Sequence, residues 1–161
     1  MTDQPDTLKD RLFADGSSDD IDLLVAILKL ASVINRPMKE GLADPEGLTL
    51  NEMRALMSLG GEGELAGHEL SRAIGMQPMN ASRALTALEK RGWIEEVEDA
   101  DNRRRKPYAI ADAGIDAYRA MIPEFADIAE TLFSDLTDAE RRRFRATTQK
   151  ITDRIAQWQV K

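Results

Sequence analysis

Apolar residues recur at helical spacing along most of the chain, and one short stretch switches to the two-residue alternation of strands. From 20 to 36 the polar positions Asp22, Lys29 and Arg36 fall seven apart and leave the rest of the circumference largely apolar. This predicts a helix that needs cover on several sides and is stopped by Pro37. Positions 41–47 read as a loop. In the following LTLNEM, Thr49 and Glu52 form a capping box, with Leu48 and Met53 as its hydrophobic staple. That helix should reach Leu59 and end in GGEG. A short helix over 67–73, a tight turn at Gly75 and a longer helix from Pro78 to Arg91, closed by Gly92, make a helix-turn-helix unit.

After Gly92, residues 93–98, the turn ADNRR and residues 105–110 read as a hairpin whose second strand carries Pro107 and so lies at an edge. Beyond 112, Ile115, Tyr118, Ile122, Phe125, Ala129 and Leu132 alternate spacings of three and four, a coiled-coil-like seam with a kink at Pro123. Thr137 and Glu140 form a second capping box, opening a final helix striped by Phe144, Ile151, Ile155 and Trp158. These terminal seams exceed what a winged core of roughly 60 residues covers within one domain. A symmetric dimer with interleaved first and last helices accounts for them. The chain therefore divides into a mobile acidic arm (1–18), in which Leu8, Leu12 and Phe13 could form a short docking helix, an N-terminal dimerisation helix and loop (19–47), a winged helix-turn-helix (48–111) and C-terminal dimerisation helices (112–161). The expected fold is mainly α with a small β-hairpin wing.

Composition removes whole classes of function. Among 161 residues there is no Cys and one His, His68, so no thiolate nucleophile, disulfide framework or multi-histidine metal site is expected, and no cofactor. No GxSxG elbow accompanies a serine, and no carboxylate pair has a recognisable catalytic spacing, so the chain does not read as an enzyme. The apolar run 21–34 contains Asp22, Lys29 and Ser32, too short and polar to span a bilayer, and the acidic start lacks a signal peptide's basic residues. A cytoplasmic protein without a membrane partner is expected. The net charge of −7 argues at first against nucleic acid. Resolved along the chain, positions 71–108 hold eight basic and six acidic residues, net +2, and the remainder 14 basic against 23 acidic, net −9.

The segments LTLNEMRAL, HELSRAIGM, MNASRALTALEKRGWIEE and DNRRRKPYAIADAG, in this order and spacing, resemble the MarR family of bacterial transcription regulators over 48–114. The resemblance implies an obligate homodimer, a recognition helix in each of two major grooves of double-stranded DNA, a wing in the adjoining minor groove, and often a small aromatic or phenolic effector between the dimerisation and winged lobes. It places the family's wing Asp on Asn102 and its wing Arg on Arg104, with Asp101 taking the Asp role only after a one-residue slip. The bracing of the wing is thereby left open. Where relatives often carry Arg after Gly-Trp-Ile-Glu, Glu96 stands, and Asp112 is expected to cap the next helix because Ile110-Ala111 replaces Leu-Thr.

The residue chemistry points the same way. On the helix from Pro78, a core stripe of Ala81, Leu85 and Leu88 turns Met79, Asn80 and Arg83 outward. Asn reads adenine bidentately, Arg reads guanine bidentately, and a Met methyl packs on thymine. Gln77, Ser82, Thr86 and Lys90 suit the backbone phosphates. Asn102, Arg103, Arg104, Arg105 and Lys106 form the wing tip; against the usual fate of a charge run as a solvated turn, their place beside a recognition helix favours minor-groove or phosphate contact. Arg141, Arg142, Arg143 and Arg145 fit surface or inter-subunit pairing with the acidic first segment better than a DNA role. An effector pocket is expected from Ser32, Arg36, Met53, Met57 and His68, with open alternatives: Arg36 either neutralises a carboxylate or caps its helix, His68 fits a surface or capping role, and the methionines fit the core. The residues Ile115, Tyr118, Ile122, Phe125, Phe144, Ile151, Ile155 and Trp158 are expected at the dimer interface. The expected function is an effector-responsive repressor on a pseudo-palindromic operator; the rival is a winged-helix dimer that binds proteins and no DNA.

Overall fold

A computed structural model describes residues 18–158; the expected acidic arm and its short docking helix lie, but for residue 18, outside the described residues. In chain order the elements are α1 (Ser18–Val33), α2 (Asn35–Met38), a π-helical turn (Lys39–Ala43), α3 (Leu50–Glu62), β1 (Leu65–Ala66), α4 (Gly67–Ala73), α5 (Pro78–Lys90), β2 (Ile94–Glu96), β3 (Pro107–Ile110), α6 (Asp112–Phe133) and α7 (Asp138–Ala156). The fold is mainly α with a small antiparallel sheet and wing.

Pro37 does not halt the helical path as the sequence suggested. Its ring excludes a normal contact with the carbonyl four residues back, that of Val33, where α1 ends. Pro37 itself sits in the first turn of α2, where a missing N–H costs nothing. The expected loop at 41–47 is also shortened, because Leu42 and Ala43 are buried at the end of the π-helical turn. Helix α3 opens on the predicted Thr49/Glu52 capping box, and both staple residues, Leu48 and Met53, are buried. It continues through Gly60 and Gly61 to Glu62 instead of ending near Leu59. Gly60 belongs in the helix because the Tyr118 ring lies where a side chain would stand, 2.6 Å from an added Cβ.

The sheet has three strands in the order β1-β3-β2. Leu65 pairs with Tyr108 and Ala66 with Pro107, while Ile94, Glu95 and Glu96 pair with Ile110, Ala109 and Tyr108. β3 is thus central, which corrects the edge position expected from Pro107. As the first residue of its strand, Pro107 has little ladder bonding to lose, and its carbonyl accepts from Val97 N–H at 2.8 Å. Ala111, not Asp112, occupies the N-cap position of α6, with no side-chain cap; the Ala111 N–H instead donates to the Trp93 carbonyl at 3.0 Å.

The buried cluster joins Leu48, Met53, Leu56 and Leu59 with Leu70 of α4, Ala81, Leu85 and Leu88 of α5, Ile94 of β2 and Met121 of α6. Helix α6 carries two apolar faces where one seam was expected. Tyr118, Met121, Phe125 and Ile128 pack on the core, whereas Ile115, Ile122 and Leu132 are exposed. Helix α7 contributes no buried residue, and Leu23, Leu24, Leu28 and Val33 of α1 are each more than half exposed.

Candidate nucleic-acid interface

Helix α5 is anchored from one side. Ala81, Ala84, Leu85 and Leu88 are buried, and Pro78 stands at its first position. The opposite face presents Met79, 65% exposed, with Ser82, Arg83, Thr86 and Lys90 exposed and Asn80 half-buried. The N-cap residue Gln77 is exposed and makes no side-chain capping bond; its carbonyl accepts from Asn80 and Ala81 N–H. The residues expected to read bases or touch phosphates therefore share one open face. The far end of α5 is tied down by Arg91, whose guanidinium donates to the carbonyls of Glu46 and Gly47, at 3.4 and 2.5 Å, and lies 5.3 Å over the Trp93 ring.

Between β2 and β3 the chain turns through Asp99, whose Oδ1 accepts from Asp101 N–H at 3.0 Å and Asn102 N–H at 2.9 Å. Asn102 is a turn residue: its Oδ1 accepts from Arg104 N–H at 3.1 Å, and its carbonyl from Arg105 N–H at 2.8 Å. Arg103 and Arg104 are exposed at the tip, and Lys106 pairs with Glu96 at 3.3 Å. Arg105 departs from the solvent-facing role its neighbours suggested. Its Nε and Nη2 donate to the Glu69 carboxylate at 2.9 and 2.8 Å, Nη1 to Asp99 Oδ2 at 2.9 Å, and Nη2 also to the Glu64 carbonyl at 3.1 Å. Glu69 further accepts from Ala66 N–H at 2.8 Å, closing the first turn of α4. The Arg105 hydrogen bonds, aided by that backbone N–H, hold the Glu69 pKa down to about 2; the same guanidinium lowers Asp99. Glu69 and Asp99 were absent from the sequence-based site, although Glu69 stands three residues after Ala66, the spacing of a helix-start carboxylate.

The five residues expected to form an effector pocket lie in different settings. The Ser32 hydroxyl donates to Leu28 O, and exposed Arg36 pairs with Glu40 at 3.1 Å. Met53 is 2% exposed in the core, and Met57 packs against that core. His68 is a surface residue beside Glu69. A different cavity, about 370 Å³, opens between α3 and α6 at the end of β3, lined by Leu59, Gly60, Ile110, Ile115, Tyr118, Arg119 and Ile122. Its lining is apolar apart from Tyr118 and Arg119, whose guanidinium pairs with Asp116 at 2.8 Å.

Of the residues assigned to a dimer interface, Tyr118 and Phe125 pack partly on the protomer's own core and Ile151 is half-buried. Ile115, Ile122, Phe144, Ile155 and Trp158 are exposed. A second cleft of about 490 Å³ separates the end of α6 from α7, lined by Phe133, Leu136 and Phe144 together with Arg141 and Arg145. Arg141 donates to the Phe133 and Leu136 carbonyls, satisfying the end of α6. Among the described residues no helix is long and apolar enough to cross a membrane, and no group of three His, Cys, Asp or Glu is placed to hold a metal ion.

Residues 48–106 match the family model described as the MarR family. Over 89 residues the chain is 34% identical to the transcriptional repressor MprA of Escherichia coli strain K12, covering 55% of this chain and 51% of that protein. It thus spans about half the length of that curated relative. A mutant MarR of E. coli complexed with operator DNA superposes with a TM-score of 0.68 at 19% identity, over 83% of this chain and 96% of that one. BpsR of Bordetella bronchiseptica, whose DNA binding is regulated by 6-hydroxynicotinic acid, gives 0.69 at 17% identity over 81% and 98%. Over residues 48–106 the chain is thus similar in sequence to the MarR family, and over 83% of its length it shares the winged helix-turn-helix fold of the E. coli MarR structure.

Proposed function

We propose that the protein is a homodimeric transcription regulator, a repressor, that grips a pseudo-palindromic operator with half-sites about one helical turn apart and is released by a small aromatic or phenolic ligand. The observation that carries this reading is the one-sided anchoring of α5, which leaves Met79, Asn80 and Arg83 on an open face while four neighbours are locked in the core. Arg103 and Arg104, exposed at the wing tip, supply a second, electrostatic contact. The exposed apolar faces of α1, α6 and α7 support a dimer through these helices.

The cavity between α3 and α6 suits the effector better than the five residues read from the sequence. It offers apolar walls for a ring, with Tyr118 and Arg119 as its polar lining residues, Arg119 exchanging Asp116 for a ligand phenolate or carboxylate. It lies between α3, which packs on α5, and α6, so a ligand there can favour one spacing of two recognition helices over another. Fluorescence anisotropy of the full chain on a duplex selected from a random pool, titrated with salt, tests the function. Arg83→Ala should relax preference at one base pair, and Arg104→Ala should weaken cognate and scrambled duplexes alike. Failure to select any preferred sequence, together with a stable protein partner, would favour the protein-interaction reading instead.

A further inference from the structure

Resting on that DNA-binding reading, we infer that Arg105 is a positioning residue: with Glu69 and Asp99 it clamps the base of the wing to α4, setting the wing's place relative to α5, and it takes no part in touching DNA. Three features of the geometry lead there. The guanidinium makes two hydrogen bonds to Glu69 Oε1 and Oε2, one to Asp99 and one to the Glu64 carbonyl, so four of its five N–H donors are already engaged within the protein. Its side chain is 23% exposed, where Arg103 and Arg104 beside it are open to solvent. Its three partners belong to separate parts of the fold: Glu64 precedes β1, Glu69 lies on α4, and Asp99 holds the wing turn through its own acceptance of the Asp101 and Asn102 amides.

A planar guanidinium bound to two carboxylates has a fixed orientation, which a lysine in its place would not reproduce. The clamp therefore transmits the position of α4, which is packed on α5, to the loop bearing Arg103 and Arg104. It also explains how the wing is held although Asn102 occupies the position that the family resemblance assigned to an acid: Asn102 shapes the turn, and the charge pairing has moved to Arg105. The half-buried Glu69 also closes the start of α4 by accepting from Ala66 N–H.

Arg105→Gln, Glu69→Gln and the double variant are compared with Arg104→Ala on the selected duplex across a salt series. Each clamp variant should lose about tenfold in affinity, and the double variant little more than either single one, because both remove the same interaction. The slope of log affinity against log salt should stay at the wild-type value in the clamp variants and fall by about one in Arg104→Ala. Arg105→Lys should recover only part of the loss. Hydrogen exchange on the DNA-free protein reads the clamp separately: the Asp101 and Asn102 amides should exchange faster in both clamp variants. A slope reduced by about one in Arg105→Gln, with Glu69→Gln unaffected, would make Arg105 a phosphate contact and overturn the inference, as would unchanged exchange at those amides. Absence of wild-type binding would instead defeat the DNA-binding reading, leaving the exchange result to judge the clamp.

Discussion

At the scale of single residues, charge and contact separate. The run RRRK at 103–106 offers four cations in sequence, yet Arg105 is consumed by carboxylates from 36 and 6 residues away and Lys106 pairs with Glu96, while Arg103 and Arg104 stay open. Nothing in the run itself distinguishes them, since the deciding partner, Glu69, arrives only when α4 packs beside the wing. Gly114 shows the opposite, a residue whose requirement is absolute. A Cβ there would stand 1.9 Å from the Trp93 carbonyl oxygen, a backbone atom that already accepts from Ala111 N–H and that cannot move without shifting β2. Gly114→Ala should therefore destabilise the protein by about 3 kcal/mol, seen as a lower urea midpoint with an unchanged slope. An unchanged midpoint would mean that α6 can step away from Trp93 at no cost.

At the scale of elements, what was legible in the sequence is what depends on local chemistry. Both capping boxes are present at Thr49/Glu52 and Thr137/Glu140, α4 has the expected bounds, and α5 begins at Pro78. Thr49→Ala should cost about 1 kcal/mol by removing the hydroxyl that accepts from Glu52 N–H; thermal unfolding of the full chain measures it, and a loss under a few tenths would show the staple alone sufficing. What sequence could not show are features set by tertiary neighbours. β1 is two residues long and has no periodicity to detect; it exists because β3 pairs with it. The same pairing makes β3 central despite Pro107. Likewise α6 looked like one seam because spacings of three and four fit either face, and only the docking of α3 and of the π-helical turn divides Tyr118, Met121 and Phe125 from Ile115 and Ile122.

At the scale of the molecule, two imbalances meet. The excess acid lies outside positions 71–108, and within that segment Arg91 and Arg105 are tied to the protein and Lys106 to Glu96, leaving Arg72, Arg83, Lys90, Arg103 and Arg104 exposed toward a polyanion. Few phosphates can be neutralised by so small a set, so weak non-specific affinity is expected of one winged unit alone. Two units linked rigidly escape that limit, because the second half-site is then bound at high effective concentration. The apolar surface for such linkage is exposed on α1: Leu24 and Leu28, 56% and 59% exposed, lie one helical turn apart, and neither belongs to the buried cluster. Placing two charges there should leave the winged core folded while making its burial against a second copy unfavourable. If the proposed dimer forms through α1, Leu24→Glu with Leu28→Glu should therefore keep the wild-type circular dichroism, sediment as a monomer where the wild type sediments as a dimer, and bind a two-half-site duplex roughly 100-fold more weakly. Its affinity for a single half-site should match that of the wild type, since α5 and the wing are untouched. A double variant that still sediments as a dimer would remove α1 from the interface, and one that loses single half-site binding as well would show that α1 supports the winged core itself.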